Sequence, residues 1–390
     1  MVKQIRRIVA GNDSTGRAVA LSDGPSPDVR LDPARPGFAS TRLWVTDTTP
    51  ARAKGLRETV NLPPSLDPPP RGSVCRVVEY PPEAGYIEKI TTENVKSYFT
   101  SMGSPAAATA RNGLPHPYMQ RTASLDFCWV IEGEITLVLD TGEVDVKEGE
   151  AVIQLGTNHA WANRSGKPCI ILINQHGGML DGTPGQFPGA DTPPSATYKP
   201  LAGDYRRFRR LVTGQNAEGR SCVFSDGTMP NMFPRATGAV FSEAWTIDSM
   251  PIDLRANRDG GYPGRPLSHS PPPNGAHWRI AYTPTSHVLP ESIKAKELAE
   301  LQAMNRTGGT ERMEGGRHWS MHRTPSVDYA VCLEGERFLV LEDSDVLIRK
   351  GDVVIQLGNW HSWDNRSGKP GMMSYVMIDG EYADGTRPKK

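Results

Sequence analysis

The chain of 390 residues contains one sequence twice, at a fixed spacing. The segment GEAVIQLGTNHAWANRSGKP (149–168) recurs as GDVVIQLGNWHSWDNRSGKP (351–370), with 14 of 20 residues identical. Within these segments His159 and His361 are 202 positions apart, and other matching landmarks keep the same spacing. An internal repeat of this length indicates one structural unit present in two copies, so the fold must be built from two like units.

The duplication reaches back to the start of the chain. RRIVAGNDSTGRAVALSDG (6–24) is echoed by RRLVTGQNAEGRSCVFSDG (209–227), so each copy is a complete unit of nearly 200 residues. This predicts an N-terminal unit, 1–200, and a C-terminal unit, 201–390. Residues 177–200, rich in Gly and Pro, are predicted to form an arm or a linker between the units.

Short apolar runs in both units predict β-strands. In DFCWVIEGEITLVLDTGEVDVKEGEAVIQLG, runs rich in Val, Ile and Leu alternate with Gly, Asp and Glu turn signals about every eight to twelve residues. That pattern, in a chain with 39 Gly and 34 Pro, predicts an all-β architecture of small sandwiches or barrels. The barrel cores are expected at about 72–176 and 275–380, and helices are expected at 92–102 and 290–304.

Charge and composition exclude several kinds of partner. Lys and Arg together number 44, as do Asp and Glu, so no global field would attract nucleic acid or an anionic membrane. The sequence contains no stretch approaching the roughly 18 uninterrupted apolar residues that a spanning helix needs. The five cysteines are odd in number and widely spaced, which favours reduced thiols in a cytoplasmic protein.

The duplicated segment resembles the cupin superfamily. The family's second motif, G-x5-P-x-G-x2-H-x3-N, occurs in both copies, except that Gln154 and Gln356 replace its proline. The matching residues are Gly149, Gly156, His159 and Asn163, then Gly351, Gly358, His361 and Asn365. With two copies the chain is similar to a bicupin. The resemblance implies two tandem jelly-roll β-barrels with a few short flanking helices.

The family's first motif, which holds an H-x-H pair and a glutamate, is altered in both copies. When the copies are aligned on the Glu-Gly-Glu turn that follows, Asp126 and Asp328 stand at the glutamate position. The H-x-H positions are occupied by Gln120 and Thr122 in the first copy, and by His322 and Thr324 in the second. The second copy therefore keeps a histidine that the first copy lacks.

The resemblance implies a divalent metal held by histidines and a carboxylate. In the C-terminal barrel His322, His361 and Asp328 would supply two imidazoles and a carboxylate, the facial triad of non-haem iron oxygenases, and Fe, Mn, Ni or Zn would accept such donors. The N-terminal barrel keeps only His159 and Asp126, too few for a tight site. The alternative is a protein without metal, in which each histidine is buried and bonds the aspartate of its own barrel.

A polar pocket inside each barrel follows from strand periodicity alone. Alternate residues of a strand share one face, and polar residues of one parity precede the Glu-Gly-Glu turn in each copy. Burying them is unfavourable unless they bond one another, water, a metal or a ligand. The residues expected to line the pockets are Gln120, Thr122, Asp126, His159 and Trp161 in one barrel, and His318, His322, Thr324, Ser326, Asp328, Gln356, His361 and Trp363 in the other.

Two classes of function fit these residues. The first is an enzyme that acts on a small organic substrate, aromatic or a carboxylic acid, mainly in the C-terminal barrel. It would be either a non-haem metal-dependent oxygenase, or a metal-independent isomerase or lyase in which His361, oriented by Asp328, is the acid–base group. The second is a non-catalytic protein that binds a small molecule, with both metal sites lost. The resemblance is compatible with a homodimer.

Overall fold

The computed structural model shows an all-β protein with two barrels. It describes residues 2–53, 58–109, 113–180, 205–254, 259–284, 289–305 and 309–387. Within these ranges most residues with regular structure lie in strands, as the alternating apolar runs predicted. Most of the predicted linker, from residue 181 onward, lies outside the described residues.

The N-terminal half contributes the following elements. Its strands are β1 (Arg6–Asn12), β2 (Ala18–Pro25), β3 (Asp28–Leu31), β4 (Ala39–Thr46), β5 (Ser73–Tyr80), β6 (Ser124–Glu132), β7 (Glu134–Leu139), β8 (Gly142–Lys147), β9 (Ala151–Leu155), β10 (His159–Ala162) and β11 (Cys169–Met179). Its helix is α1 (Thr92–Ser101), and its 3-10 turns are Thr59–Asn61, Glu83–Gly85, Ile87–Lys89 and Pro105–Ala107.

The C-terminal half repeats most of this series. Its strands are β12 (Arg209–Gln215), β13 (Ser221–Thr228), β14 (Asn231–Pro234), β15 (Val240–Ile247), β16 (Ile252–Asp253), β17 (Ala276–Thr283), β18 (Glu311–Arg312), β19 (His322–Arg323), β20 (Ser326–Glu334), β21 (Glu336–Val340), β22 (Asp345–Arg349), β23 (Val353–Leu357), β24 (Ser362–Asp364) and β25 (Gly371–Asp379). Its helix is α2 (Glu291–Met304).

Each barrel combines a large sheet with a three-stranded one. In the N-terminal barrel the large sheet has the order β13-β12-β9-β6-β11-β5-β4-β3, and the small sheet is β10-β7-β8. In the C-terminal barrel the corresponding orders, given in the same direction, are β2-β1-β23-β20-β25-β17-β15-β14 and β24-β21-β22. The central strands follow the same order in both barrels, which confirms the predicted fold of two tandem jelly-roll barrels related by duplication.

The two halves exchange their first hairpins. β1 pairs with β2 and also lies parallel to β23, so residues 6–25 join the sheet of the C-terminal barrel. Reciprocally, β12 pairs with β13 and lies parallel to β9, so residues 209–228 join the N-terminal sheet. The first two strands of the predicted unit 1–200 therefore lie in the other barrel. The two hairpins, which are related in sequence, thus occupy equivalent edges of the two sheets.

A shared hydrophobic core lies between the barrels. Trp278 of the C-terminal half stacks on Phe127 of the N-terminal half with ring centroids 5.1 Å apart, and it meets Trp129 edge-on at 6.3 Å. These three side chains are fully buried. The hydroxyls of Ser73 and Tyr329 form a 2.7 Å hydrogen bond across the same contact. The contact buries aromatic surface contributed by both halves, which stabilises each barrel against the other.

A helix covers each barrel at the same point of the chain, between β5 and β6 or between β17 and β19. The predictions of helices at 92–102 and 290–304 are confirmed. From α1, the ring of Tyr98 reaches into the core of the N-terminal barrel. From α2, Glu297 and Leu301 reach the interior of the C-terminal barrel. The ring of Tyr98 thus fills part of the N-terminal barrel, whereas the C-terminal barrel receives the smaller Leu301 and the polar Glu297.

The described helices are short, since α1 has 10 residues and α2 has 14. Within the described ranges, no helix has the length and apolar character needed to cross a membrane. All five cysteines carry free thiols, and four of them are buried.

Candidate functional site

The two barrels differ in the space they enclose. The C-terminal barrel contains a cavity of about 210 Å³, whereas the equivalent cavity of the N-terminal barrel is about 30 Å³. The first has room for a small organic molecule, and the second for about one water molecule. Of the predicted pocket residues, His318, His322, Asp328, His361 and Trp363 line the larger cavity. Gln120, Thr122, Asp126, His159 and Trp161 line the smaller one.

His322 and His361 form the centre of the C-terminal site. They lie opposite each other in an antiparallel bridge with reciprocal backbone hydrogen bonds of 2.9 Å, and their ring centroids are 4.4 Å apart. Nδ1 of His322 is 2.9 Å from the Ser320 carbonyl, and Nδ1 of His361 is 3.0 Å from the Asn359 carbonyl. Because a carbonyl oxygen only accepts, each Nδ1 carries the proton and each Nε2 keeps its lone pair.

A third histidine, His269, joins this pair and was missed by the sequence analysis. Its ring centroid lies 5.2 Å from that of His322, and its Nδ1 lies 3.1 Å from the Thr310 hydroxyl. His269 stands just before the Pro tract 271–273, and Leu66 occupies the equivalent position in the N-terminal barrel. Comparing the two Pro tracts would have identified His269 as a second histidine present only in the C-terminal copy.

Burial keeps these three histidines neutral. Desolvation lowers the pKa of His361 to about 4. Desolvation also holds the pKa values of His322 and His269 well below the usual range, and neighbouring imidazoles and arginines lower them further because a second positive charge would be repelled. At neutral pH the three rings are therefore proton acceptors or ligands rather than acids.

The two buried aspartates differ in their hydrogen bonds. Burial raises the pKa of both Asp126 and Asp328 to about 7. In the N-terminal barrel Thr122 and Ser124 share a hydrogen bond of 2.8 Å, and Ser124 donates to Asp126. In the C-terminal barrel, by contrast, Thr324 Oγ1 and Asp328 Oδ1 have no hydrogen-bond partner among the described residues. In the N-terminal barrel Thr122, Ser124 and Asp126 therefore bond one another. In the C-terminal barrel the equivalent atoms of Thr324 and Asp328 are left for water or a ligand.

The glutamines at the motif's proline position show the same contrast. Gln154 Oε1 accepts hydrogen bonds from Thr157 and, at 2.7 Å, from Thr213 of the exchanged hairpin. Gln356 is paired with Ala10 of the other exchanged hairpin, and alanine has no hydroxyl to donate. Within the described parts of the chain, both amide atoms of Gln356 lack a hydrogen-bond partner. The hairpin that enters each barrel therefore decides whether the amide oxygen of this glutamine has a donor, since Gln154 Nε2, like Gln356 Nε2, lacks a partner among the described residues.

The histidines are oriented by backbone carbonyls rather than by aspartates. Nδ1 of His159 is 2.9 Å from the Thr157 carbonyl, and its Nε2 is 3.4 Å from the Gln120 amide nitrogen. His361 is held in the same way by Asn359, so the expectation that Asp328 orients it is wrong. The alternative of a histidine–aspartate hydrogen bond in each barrel is likewise not the arrangement found. The geometry frees both aspartates from a role in fixing the rings.

The remaining predicted residues divide between the cavity wall and its surroundings. The Trp363 ring meets that of His361 edge-on at 6.2 Å and that of Tyr375 at 5.4 Å. His318 Nδ1 is 2.7 Å from the Ser362 hydroxyl, so this histidine is tied to the strand that follows His361. The predicted residues that are buried beside the cavity without lining it are Thr324, Ser326 and Gln356, whose part in binding stays a prediction.

Comparison with known proteins places the chain among its relatives. No protein-family model matches it. It is 54% identical over 48 residues to phomopsin biosynthesis cluster protein C' of Diaporthe leptostromiformis, which is 12% of this chain. The chain spans about a quarter of the length of that relative. It is 33% identical over 182 residues to the cupin-domain-containing oxidoreductase srdD of Neurospora crassa, covering 45% of this chain and 76% of srdD. The chain belongs to the cupin superfamily.

The match confirms the resemblance drawn from the second cupin motif. Among solved structures, oxalate decarboxylase of Lactobacillus farciminis in a formate complex aligns with 91% of this cupin and 84% of its own chain. The sequence identity there is 12% and the TM-score is 0.38.

A metal in this cupin would need converging donors. The chemistry of His322 and His361 suits a metal, because each ring has its proton on a carbonyl-bound Nδ1 and a lone pair on Nε2. In the ranges that the structure describes, however, no group of three or more His, Cys, Asp or Glu side chains is placed to hold an ion. His322, Asp328 and His361 therefore do not converge on one point in the described structure. Metal binding by these three residues stays a prediction.

Proposed function

We propose that this cupin is an enzyme that converts a small organic substrate inside the cavity of the C-terminal barrel, with the N-terminal barrel as its structural partner. The observation that carries the proposal is the contrast between two copies of one fold. One copy closes its interior to about 30 Å³, whereas the other holds about 210 Å³ lined by neutral imidazoles. A ligand in the larger cavity would give partners to polar groups such as Thr324 Oγ1 and Asp328 Oδ1, which are unfavourable when buried unbonded.

Proton transfer is the chemistry that the geometry supports best. The Nε2 lone pair of His361 belongs to a ring whose Nδ1–H is bound to the Asn359 carbonyl, which would stabilise the imidazolium formed when Nε2 takes a proton. In an isomerisation or an elimination, the base removes a proton from carbon beside a carbonyl group and returns it at another atom or to the leaving group. The step balances without an oxidant, so no co-reactant is needed.

A metal-dependent oxidoreductase is the second candidate, and the relatives favour it. The matching protein of Neurospora crassa is named a cupin-domain-containing oxidoreductase. In this cupin His322, His361 and Asp328 would have to converge on the ion, which they do not do in the described structure, and the metal would then supply the redox chemistry.

Turnover in heavy water, measured with and without metal, separates the two candidates. The purified protein is incubated in D₂O with small aromatic and aliphatic carboxylic acids and their amides, before and after dialysis against a chelator. Mass spectrometry reports deuterium incorporation and new products, and an oxygen electrode reports O₂ uptake. Proton transfer is expected to incorporate deuterium without O₂ uptake and to survive chelation.

The other outcomes assign the protein to the remaining classes. Oxidation that is lost on chelation and restored by one divalent metal would support the oxidoreductase. Saturable binding of a compound, with neither exchange nor oxidation across the panel, would support a non-catalytic binding protein and contradict the enzyme.

A further inference from the structure

Arg337 is a buried cation on the wall of the C-terminal cavity. Its side chain is only 2% exposed, and it lines the cavity together with the histidines. Neither Nη1 nor Nη2 has a hydrogen-bond partner among the residues that the structure describes. A guanidinium remains charged in proteins, so a buried one with open donors is strongly unfavourable until an anion or water meets it.

The strand register turns Arg337 towards the lumen. Leu339 of β21 lies directly opposite Trp363 of β24, so these two side chains share a face. Arg337 is two residues before Leu339 on the same strand and therefore points to that same face. Trp363 lines the cavity between the ring of His361 and that of Tyr375. Arg337 and the histidines are thus parts of one cavity wall, which also includes the rings of Trp363 and Tyr375.

The N-terminal barrel has an apolar pair at the same place. Ile135 stands at the position of Arg337 and is buried in the core of its barrel. Cys169 stands at the position of Gly371. A Cβ added to Gly371 would lie 3.2 Å from Nη1 of Arg337, closer than ordinary contact. The arginine and the glycine that makes room for it therefore occur together, and only in the barrel with the larger cavity.

Most other charged groups near the cavity are already paired. Arg312 is half-buried and donates to the Ser320 carbonyl at 3.3 Å. Asp364 contributes to the charge around Arg337, but it already accepts from a surface arginine. Among the described lining residues, Arg337 is left as the fully buried cation whose Nη1 and Nη2 have no acceptor. The ion pairs are Arg279–Glu243, Arg235–Glu297 and Arg366–Asp364.

We propose that Arg337 binds the carboxylate of the ligand, so that the cavity accepts a small organic acid. A planar carboxylate can accept from Nη1 and Nη2 together, and its single negative charge matches one guanidinium, whereas a phosphate would bring about two charges. The inference rests on the proposed function in one respect, namely that the ligand is a substrate. Carboxylate binding itself can be measured without turnover.

Titration calorimetry with matched acids and amides tests the proposal. The probes are benzoate against benzamide, and acetate against acetamide, which differ in charge but little in shape. The unaltered protein is expected to bind at least one acid about tenfold or more tightly than its amide. Arg337→Ile, which introduces the residue of the N-terminal barrel, is expected to abolish that preference, and Arg337→Lys to keep part of it. Arg349→Gln, an exposed arginine on β22, is the control and should change neither affinity.

A second variant, Gly371→Ala, and the melting temperature of Arg337→Ile test the proposal independently. Gly371→Ala crowds Nη1 and is expected to weaken acid binding several-fold while leaving amide binding unchanged. Arg337→Ile is expected to melt at or above the temperature of the unaltered protein, because it removes a buried unpaired charge. A lower melting temperature would indicate a structural arginine and overturn the proposal. Equal affinity for acid and amide, or an acid preference that persists in Arg337→Ile, would also overturn it.

The two proposals fail in different ways. Acid binding that depends on Arg337 but is never followed by turnover would contradict the enzyme and leave the carboxylate site standing. Turnover of neutral compounds that Arg337→Ile leaves unchanged would contradict the carboxylate site and leave the enzyme standing.

Discussion

His322 and His361 lie opposite each other in a two-residue β-bridge, with ring centroids 4.4 Å apart and ring planes tilted by 52°. In the N-terminal barrel the same backbone bridge joins Gln120 and His159. The two sites therefore share a scaffold and differ in one of the two side chains that it presents. Each substitution in the C-terminal barrel has a matched control at the equivalent residue of the other barrel.

We expect His361→Asn to lower kcat by about a hundredfold or more, because the substitution removes the proposed base. His159→Asn should leave kcat within about twofold, since His159 lies beside a cavity of only about 30 Å³. Steady-state kinetics measures both, and circular dichroism checks that both variants are folded. Equal losses in the two variants would contradict the assignment of turnover to the C-terminal barrel.

We expect His322→Gln, which reproduces Gln120 of the other barrel, to be less damaging than His361→Asn. Proton transfer by His361 needs His322 only as a neighbour, so a loss of about tenfold in kcat is expected. If both rings bind a catalytic metal, removing either ligand should be equally damaging and should lower the metal content found by plasma mass spectrometry. Gln120→Ala, the control, should alter neither quantity.

We expect the stabilising effect of Asp126→Asn to grow as the pH rises from about 4 to about 7. The pKa of Asp126 is raised from 3.8 to about 7 by burial, so over this interval the folded state holds a proton that the unfolded state has released. The free energy of unfolding of the wild-type protein therefore falls as pH rises, by about 4 kcal/mol in all, whereas that of the amide variant has no such dependence.

Thermal unfolding of both proteins from about pH 3.5 to about pH 8, a range that includes both pKa values of Asp126, measures this difference. The exposed Glu88→Gln is the control for the loss of one surface charge. A difference between Asp126→Asn and wild type that is constant with pH would mean that Asp126 is not titrating in this interval.

We expect Trp278→Ala to lower the free energy of unfolding by about 3 to 5 kcal/mol, because it leaves a cavity against Phe127 and Trp129. Since those rings belong to the other half, the chain should still unfold in one transition, at a lower denaturant concentration. Tyr262→Ala, at a side chain 49% exposed, should change stability by no more than about 0.5 kcal/mol. Two separate transitions, only one of which shifts, would contradict a shared core.

Much of the fold and part of the site could be predicted from the sequence because the signals are local. Alternating apolar runs marked the strands, and both helices were predicted to within one residue of their ends. His322, His361 and Asp328 were found because they occupy positions of two motifs that recur at a fixed spacing. The residues that line the larger cavity with them include the predicted His318 and Trp363.

What the sequence could not show depends on contacts between distant segments. His269 comes from a loop outside both motifs, and Arg337 lies on a strand whose neighbours are set by the fold. The difference in cavity size depends on what α1 and α2 bring in, for example the ring of Tyr98. The hairpin exchange is not evident in the sequence, because both hairpins have the same pattern of apolar and turn residues and the pairing is made with strands far away in the chain.

The hairpin exchange has a consequence for either half expressed on its own. A gene for either half alone would encode a product whose opening hairpin belongs to the missing half, and whose own sheet ends at a bare strand, β9 or β23, open to aggregation. Even if it performs no chemistry, the half with the smaller cavity therefore supplies the strand that completes the other sheet. Its lasting contribution is a hairpin, which the other half needs in order to be complete.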